Sequence, residues 1–223
     1  MCKLLKKNAA ETAFNLLKED ETLGIGTGST VDYFIDILGK SNFRVGQIVT
    51  TSLRSRTKLE NYGLKVIPVN SFNQTLSVYV DGADEIDFQM NMIKGGGGAL
   101  TMEKLVGSQA IAFICIVDES KLVNQLGSFP LPIEVLSHAV NWVGSFLAKK
   151  FRVDVKQRKN FLTDHGNPIL DVYGMDIKNP TLLEAELNDI PGIISNGIFS
   201  KRKADLAIVG TATGDIKCIG SMP

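Results

Sequence analysis

The sequence is poor in the residues that staple, ligate and span. Its three cysteines, Cys2, Cys115 and Cys218, are odd in number and far apart, which excludes a disulfide framework and the spacing of a zinc site. Cys115 lies in an apolar run and reads as a small buried hydrophobe. There are only two histidines. His138 falls on an expected helix one turn from Trp142 and His165 in a turn, so neither suggests a metal ligand. Charge of one sign is absent as an excess: 24 Lys+Arg balance 24 Asp+Glu. That gives no footprint for nucleic acid or an anionic membrane. The longest apolar run, Ala110 to Val117, is too short for a bilayer span. Asn8 and Glu11 interrupt any signal-peptide core behind Lys3, Lys6 and Lys7, so a cytoplasmic protein is expected. Repeats and low-complexity linkers are missing too.

What is present is a globular mixture, 44% hydrophobic and 22% charged over 223 residues. At that size folding buries roughly 70% of the unfolded surface, enough for a core without staples. Through the first 120 residues short apolar runs alternate with helix-period segments. Leu23 to Gly26, Ile48 to Thr51, Leu64 to Val69, Leu76 to Val80 and Ala110 to Val117 read as strands. Val31, Phe34, Ile35 and Leu38 form a helical stripe. This alternation predicts an α/β fold, Rossmann-like, with a mostly parallel sheet and helices on both faces. From about residue 130 the order becomes β-α-β-β-α-β. Its strands are expected at 133–135, at two or three of 151–155, 161–163 and 169–172, and at 193–199, with a helix from 136 and another opening at Asn179-Pro180. That order is the split βαβ of a small ferredoxin-like α+β domain. The expected division is 1–128 with 203–223 as the α/β catalytic domain and 129–202 as the smaller one. Ala204 to Gly210 returns as a buried strand, and Ile219 to Pro223 reads as an irregular tail.

Three segments carry chemistry. Gly24 to Thr30 links a strand to a helix, where glycines turn tightly and N–H groups at the helix start face an incoming anion. The dinucleotide fingerprint fails, because Ser29 stands where its third glycine belongs and no acid ends the second strand. A triphosphate loop fails for want of Gly-Lys-Ser/Thr. A cradle for a smaller phosphate and a plain turn with a Ser/Thr N-cap fit equally well. Asp81-Gly82-Ala83-Asp84-Glu85-Ile86-Asp87 follows a strand, where ligands of open parallel sheets bind. Four mutually repelling carboxylates fit a solvated acidic loop, a cation site or a substrate site; EF-hand spacing is absent. Lys94-Gly95-Gly96-Gly97-Gly98-Ala99-Leu100-Thr101-Met102-Glu103 sets four glycines tight between apolar neighbours. Each glycine costs about 0.5–1 kcal/mol of backbone entropy, which favours a close approach of backbone to ligand over a linker. For Glu103 the helix dipole and burial pull its acidity in opposite directions, and the sequence leaves that contest open.

Taken together, Gly26 to Thr30, Asp81 to Glu85 and Lys94 to Thr101 with Glu103 resemble ribose-5-phosphate isomerase of type A. Phe129 to Val135 and Asp164 to Val172 share the likeness, so it spans essentially the whole chain. The resemblance implies an aldose–ketose isomerase of the non-oxidative pentose phosphate pathway, free of cofactor and metal, acting through an enediolate. It implies Glu103 as the base, with Asp81, Asp84 and Lys94 opening the sugar ring, binding hydroxyls and moving protons between O1 and O2. Substrate contacts are expected from Thr27, Gly28, Ser29 and Thr30, from Gly82 and Ala83, and from Gly95, Gly96 and Gly97. Lys121 and Lys6 or Lys7 are expected at the phosphate. A homodimer or homotetramer is implied. The sequence departs from the family at Arg54 and Arg56, which replace a serine-rich stretch and read as a solvated helix face. A non-catalytic sugar-phosphate-sensing module is the alternative. It would carry a DNA-binding helix pair, for which the residues before Leu23 leave room for only one helix.

Overall fold

The computed structural model describes residues 2–223. In chain order, the first half holds α1 (Cys2–Phe14), β1 (Leu23–Ile25), α2 (Ser29–Lys40), β2 (Ile48–Thr50), α3 (Leu53–Asn61), β3 (Leu76–Asp81), β4 (Glu85–Asp87) and β5 (Met92–Ile93). Then come α4 (Leu100–Ser108), β6 (Ala110–Asp118), β7 (Leu122–Val123), β8 (Leu131–Val135), α5 (Val140–Phe151), β9 (Asp154–Gln157) and β10 (Ile169–Tyr173). The last elements are α6 (Pro180–Asn188), β11 (Ile193–Asn196), β12 (Ile198–Phe199), β13 (Leu206–Gly210) and β14 (Ile216–Gly220). The chain divides into two compact units: Met1–Ala83 with Met102–Leu122 and Ala204–Pro223, and Asp84–Thr101 with Val123–Lys203.

The first unit is a six-stranded sheet in the order β14-β13-β6-β3-β1-β2, parallel except for β14. Eight of the nine residues of β6 are buried, as a strand covered on both faces requires. Helix α2 presents Val31, Phe34, Ile35 and Leu38 to a core that also takes Leu23, Ile25, Val78, Val80, Ile114 and Ile208. The chain leaves β1 for β2 on one side and returns to β3 on the other. This puts a topological switch point at the carboxyl ends of β1 and β3, where ligands of open α/β sheets bind.

The second unit contains an antiparallel sheet in the order β11-β8-β10-β9, with α5 following β8 and α6 following β10. This is the split βαβ arrangement. Its core joins Leu131, Ile133, Val135, Leu147, Leu170, Val172 and Leu187. Asn179 caps α6, its side chain accepting from the Leu182 N–H, with Pro180 in the first turn.

Six expected elements differ. Leu64 to Val69 forms one isolated bridge, Val66 to Ile48, because Pro68 removes a ladder donor and a 3-10 turn follows at Val69–Ser71. Phe161 to Thr163 is a loop, since Thr163 turns its side chain onto the N–H groups of His165 and Asn167 and so closes a local turn. The run 193–199 is divided at Gly197 between β11 and β12, which belong to different sheets. Ile219 and Gly220 belong to β14, paired antiparallel with β13, so only Ser221 to Pro223 are irregular. The helix expected from 136 begins as a 3-10 turn at Ser137–Ala139, which carries His138, and becomes α-helical at Val140. Helix α5 then runs through Phe151, with Arg152 left-handed after it, so the strand expected at 151–155 starts at Asp154.

Candidate active site

In the first unit the turn after β1 meets the end of β3. The Gly26 N–H donates to the Val80 carbonyl at 2.9 Å, and the Thr27 N–H to Asp81 Oδ1 at 3.0 Å. A Cβ on Gly26 would fall 1.9 Å from the Asp81 carboxyl carbon, so this glycine is what admits the carboxylate. Asp81 is fully buried and also accepts from the Gly82 N–H at 2.7 Å and from the Tyr79 hydroxyl. Helix α2 is N-capped by Gly28 at φ 112° and no side chain caps it, so the plain turn with a Ser/Thr N-cap, one of the two readings of this segment, is not formed. A left-handed φ of this kind suits glycine. Lys6 Nζ donates to Ser29 Oγ at 2.9 Å and lies 3.8 Å from Asp118. Lys7 is exposed on α1, and Lys121 is half-buried in the 3-10 turn after β6. Ser55 Oγ donates to the Gly26 carbonyl at 2.6 Å, and Thr50 Oγ1 to the Ile25 carbonyl at 2.8 Å. The buried Thr51 Oγ1 next to them has no hydrogen-bond partner.

Glu103, 3% exposed, stands in the first turn of α4. Tyr79 links it electrostatically to Asp81. Burial first, then the Asp81 and Glu103 carboxylates, push the Tyr79 phenol well above its ordinary range. Tyr79 is therefore a neutral O–H donor among carboxylates. Its ring packs 4.6 Å from that of Phe113, and Gly24 and Gly107 both lie against it.

The second unit holds Asp84, Lys94 and the glycine loop. The Gly96 N–H donates to Asp84 Oδ2 at 2.7 Å, and a Cβ on Gly96 would fall 2.5 Å from Asp84 Oδ1. Gly95 and Gly98 take φ of 100° and 84°, and the Gly98 N–H closes a turn on the Gly95 carbonyl at 2.9 Å. Lys94 is 2% exposed, with Nζ 5.5 Å from the Phe199 ring centroid. Its own N–H is held by the Gly197 carbonyl at 2.9 Å. Thr101 is tied to the buried Glu134, which also accepts from Thr163 and Asn167 at 2.9 Å each.

The acidic segment is thus sorted by hydrogen bonding. Glu85 accepts the N–H groups of Gly127 and Phe129 at 2.7 and 2.6 Å, and Asp87 those of Gln89 and Asn91 at 2.9 Å. Those two carboxylates brace backbone, whereas Asp81 and Asp84 each meet a glycine segment. Arg54 pairs with Asp32 and Arg56 with Glu60 at 2.8 Å, which accounts for both arginines on the face of α3. Neither Tyr79 nor Glu134 carries a functional expectation from the sequence alone. Tyr79 shares one face of β3 with Asp81, two residues apart, and that period-two placement was the available signal.

The model of the family described as ribose 5-phosphate isomerase A (phosphoriboisomerase A) matches residues 47–214. The solved ribose 5 phosphate isomerase A of Neisseria gonorrhoeae is 43% identical, with a TM-score of 0.95 over 99% of this chain and 97% of that one. That of Methanocaldococcus jannaschii is 36% identical, with a TM-score of 0.89 over 97% and 98%. A D-ribose-5-phosphate isomerase in complex with phospho-erythronic acid is 37% identical, with a TM-score of 0.92 over 99% and 100%. On the match of its sequence and of its fold, the chain belongs to the ribose 5-phosphate isomerase A family.

Proposed function

We propose a residue-level mechanism for the interconversion of D-ribose 5-phosphate and D-ribulose 5-phosphate, the reaction that membership of this family assigns to the chain. The Glu103 carboxylate removes the proton on C2 of the open-chain aldose. Charge develops on O1 of the resulting enediolate, and Glu103 returns the proton to C1. O1 gains a proton as O2 loses one, which leaves the ketone at C2. Asp81, Asp84 and Lys94 open the ring, bind the hydroxyls and carry that second exchange. Lys94 and the N–H groups of Gly95, Gly96 and Gly97 stabilise the oxyanion. Gly82 and Ala83 contribute backbone contacts. Thr27, Gly28, Ser29 and Thr30 hold the phosphate at the start of α2, with Lys6, Lys7 and Lys121 supplying cationic partners.

The observation that supports this reading best is the placement of Asp81 at the switch point, held by three donors directly beneath the turn that would take the phosphate. Lys6 on Ser29 and the unpartnered Thr51 Oγ1 suit an anion there. Among the described residues no helix is long and apolar enough to cross a membrane. A cytoplasmic homodimer or homotetramer needing no metal completes the proposal, and light scattering of the purified protein checks its assembly state. The test of mechanism is turnover of ribose 5-phosphate in excess EDTA by the wild type and by Glu103→Gln. Undiminished wild-type turnover is expected, with a loss in the variant on the order of 10²–10⁴-fold at nearly unchanged KM. Near-wild-type turnover in the variant removes Glu103 from the base role.

A further inference from the structure

The glycine loop is gripped from one side by a residue outside the proposed machinery. Arg158 Nη1 donates to the carbonyls of Gly95 and Gly96 at 3.3 and 3.1 Å. The rest of its fork is fixed: Nε and Nη2 reach the two Asp171 oxygens at 2.9 and 2.6 Å. The guanidinium also lies 5.2 Å from the Phe161 ring centroid, and that ring fills the space beside the Cα of Gly98. Only a planar, five-donor group can hold a carboxylate bidentately, stack on a ring and still donate to two carbonyls.

The consequence follows from peptide geometry. A trans peptide points its N–H opposite to its C=O, and the described residues contain no cis bond. The carbonyl of Gly95 faces Arg158, so the Gly96 N–H of the same peptide faces away, onto Asp84 Oδ2 at 2.7 Å. The Gly96 carbonyl faces Arg158 as well, which turns the Gly97 N–H the same way. A cation on the carbonyl oxygen also polarises the amide and strengthens its N–H as a donor. Four glycines have little conformational preference of their own. The Gly98 N–H on the Gly95 carbonyl and Asp84 on the Gly96 N–H help to fix the first of these peptides, and Arg158 grips both.

We propose that Arg158, clamped by Asp171, is a positioning residue that aims and polarises the Gly96 and Gly97 N–H groups and through them fixes Asp84. The inference rests on the assignment of Asp84 and the glycine loop to the reaction. The test compares Arg158→Lys, Asp84→Asn and the double variant for kcat and KM with ribose 5-phosphate, alongside their thermal unfolding. Arg158→Lys keeps the charge and loses the fork, so kcat should fall by roughly 10–100-fold with KM much less affected. Because both residues act on the Gly95–Gly96 peptide, their losses should overlap, and the double variant should turn over faster than the product of the two single losses predicts. A merely structural role would instead lower stability and make the losses multiply, and that result overturns the proposal. So does an Arg158→Lys enzyme within about twofold of wild-type kcat. Wild-type turnover in Asp84→Asn would overturn the site assignment itself, whereas loss there with Arg158→Lys unaffected overturns this inference alone. If Arg158→Lys does not fold, Asp171→Asn, which keeps the clamp's shape while loosening its grip, carries the same comparison.

Discussion

Asp81 accepts from the N–H groups of Thr27 and Gly82 and from the Tyr79 hydroxyl, and the three donors differ in what mutation can reach. The first two belong to backbone. The third can be removed cleanly, because Tyr79→Phe keeps the ring against Phe113 and deletes only the oxygen. A hydrogen bond to a charged group contributes about 1.5–3 kcal/mol. Tyr79→Phe should therefore lower the urea midpoint by the equivalent of about 1.5–3 kcal/mol and, with Asp81 less firmly placed, lower kcat/KM by roughly 10–100-fold. Unchanged kinetics would show that Asp81 is held well enough without this hydroxyl. Gly26→Ala attacks the same carboxylate from the other side, since its Cβ would overlap the Asp81 carboxyl group. Displacement by about an ångström should cost on the order of 10²-fold in turnover, read in a steady-state assay. Wild-type turnover in this variant would mean that Asp81 tolerates being moved.

At the level of elements, the glycine loop makes the sharpest demand. Gly98 has a φ of 84°, and a Cβ there would lie 2.2 Å from Phe161 Cζ. The left-handed backbone alone costs a non-glycine residue roughly 1–2 kcal/mol. Gly98→Ala should lose at least that much stability in a urea titration; an unchanged midpoint would show that the loop has another conformation available. Four consecutive glycines announced this loop in the sequence, and strand–helix alternation announced the six-stranded sheet. What stayed hidden has physical reasons. Leu64 to Val69 has the apolar density of a strand, but Pro68 cannot donate to a ladder. Ile216 to Gly220 alternates weakly because it forms an edge, half-buried, and pairing with β13 rather than burial makes it a strand. Arg158 resembles any other charged loop residue until the fold sets it against Asp171, thirteen residues on. The motif residues were legible because glycine spacing and clustered carboxylates are local signals. Their braces, Tyr79, Arg158 and Glu134, act through contacts that composition does not record.

For the molecule as a whole, the proposed site predicts how stability responds to a ligand. Phospho-erythronic acid, found bound in one relative, joins a phosphate to a carboxylate whose two oxygens share one negative charge, as the enediolate oxygens do. A ligand that resembles the intermediate should bind more tightly than the substrate and compete with it. Binding to the folded chain alone adds RT ln(1 + [L]/Kd), about 2.7 kcal/mol at a hundredfold excess over Kd. For a chain of 223 residues each kcal/mol moves Tm by roughly 2–4 °C, so an increase of roughly 5–11 °C is expected. Inorganic phosphate, which lacks the carboxylate, should give a smaller rise at equal concentration. Lys94→Ala, which removes the buried cation, should keep the response to phosphate and lose most of the difference between the two ligands. Equal shifts from both ligands in the wild type would mean that the acid is held by its phosphate alone. Lys94 and the glycine-loop N–H groups would then have no part in recognising the enediolate.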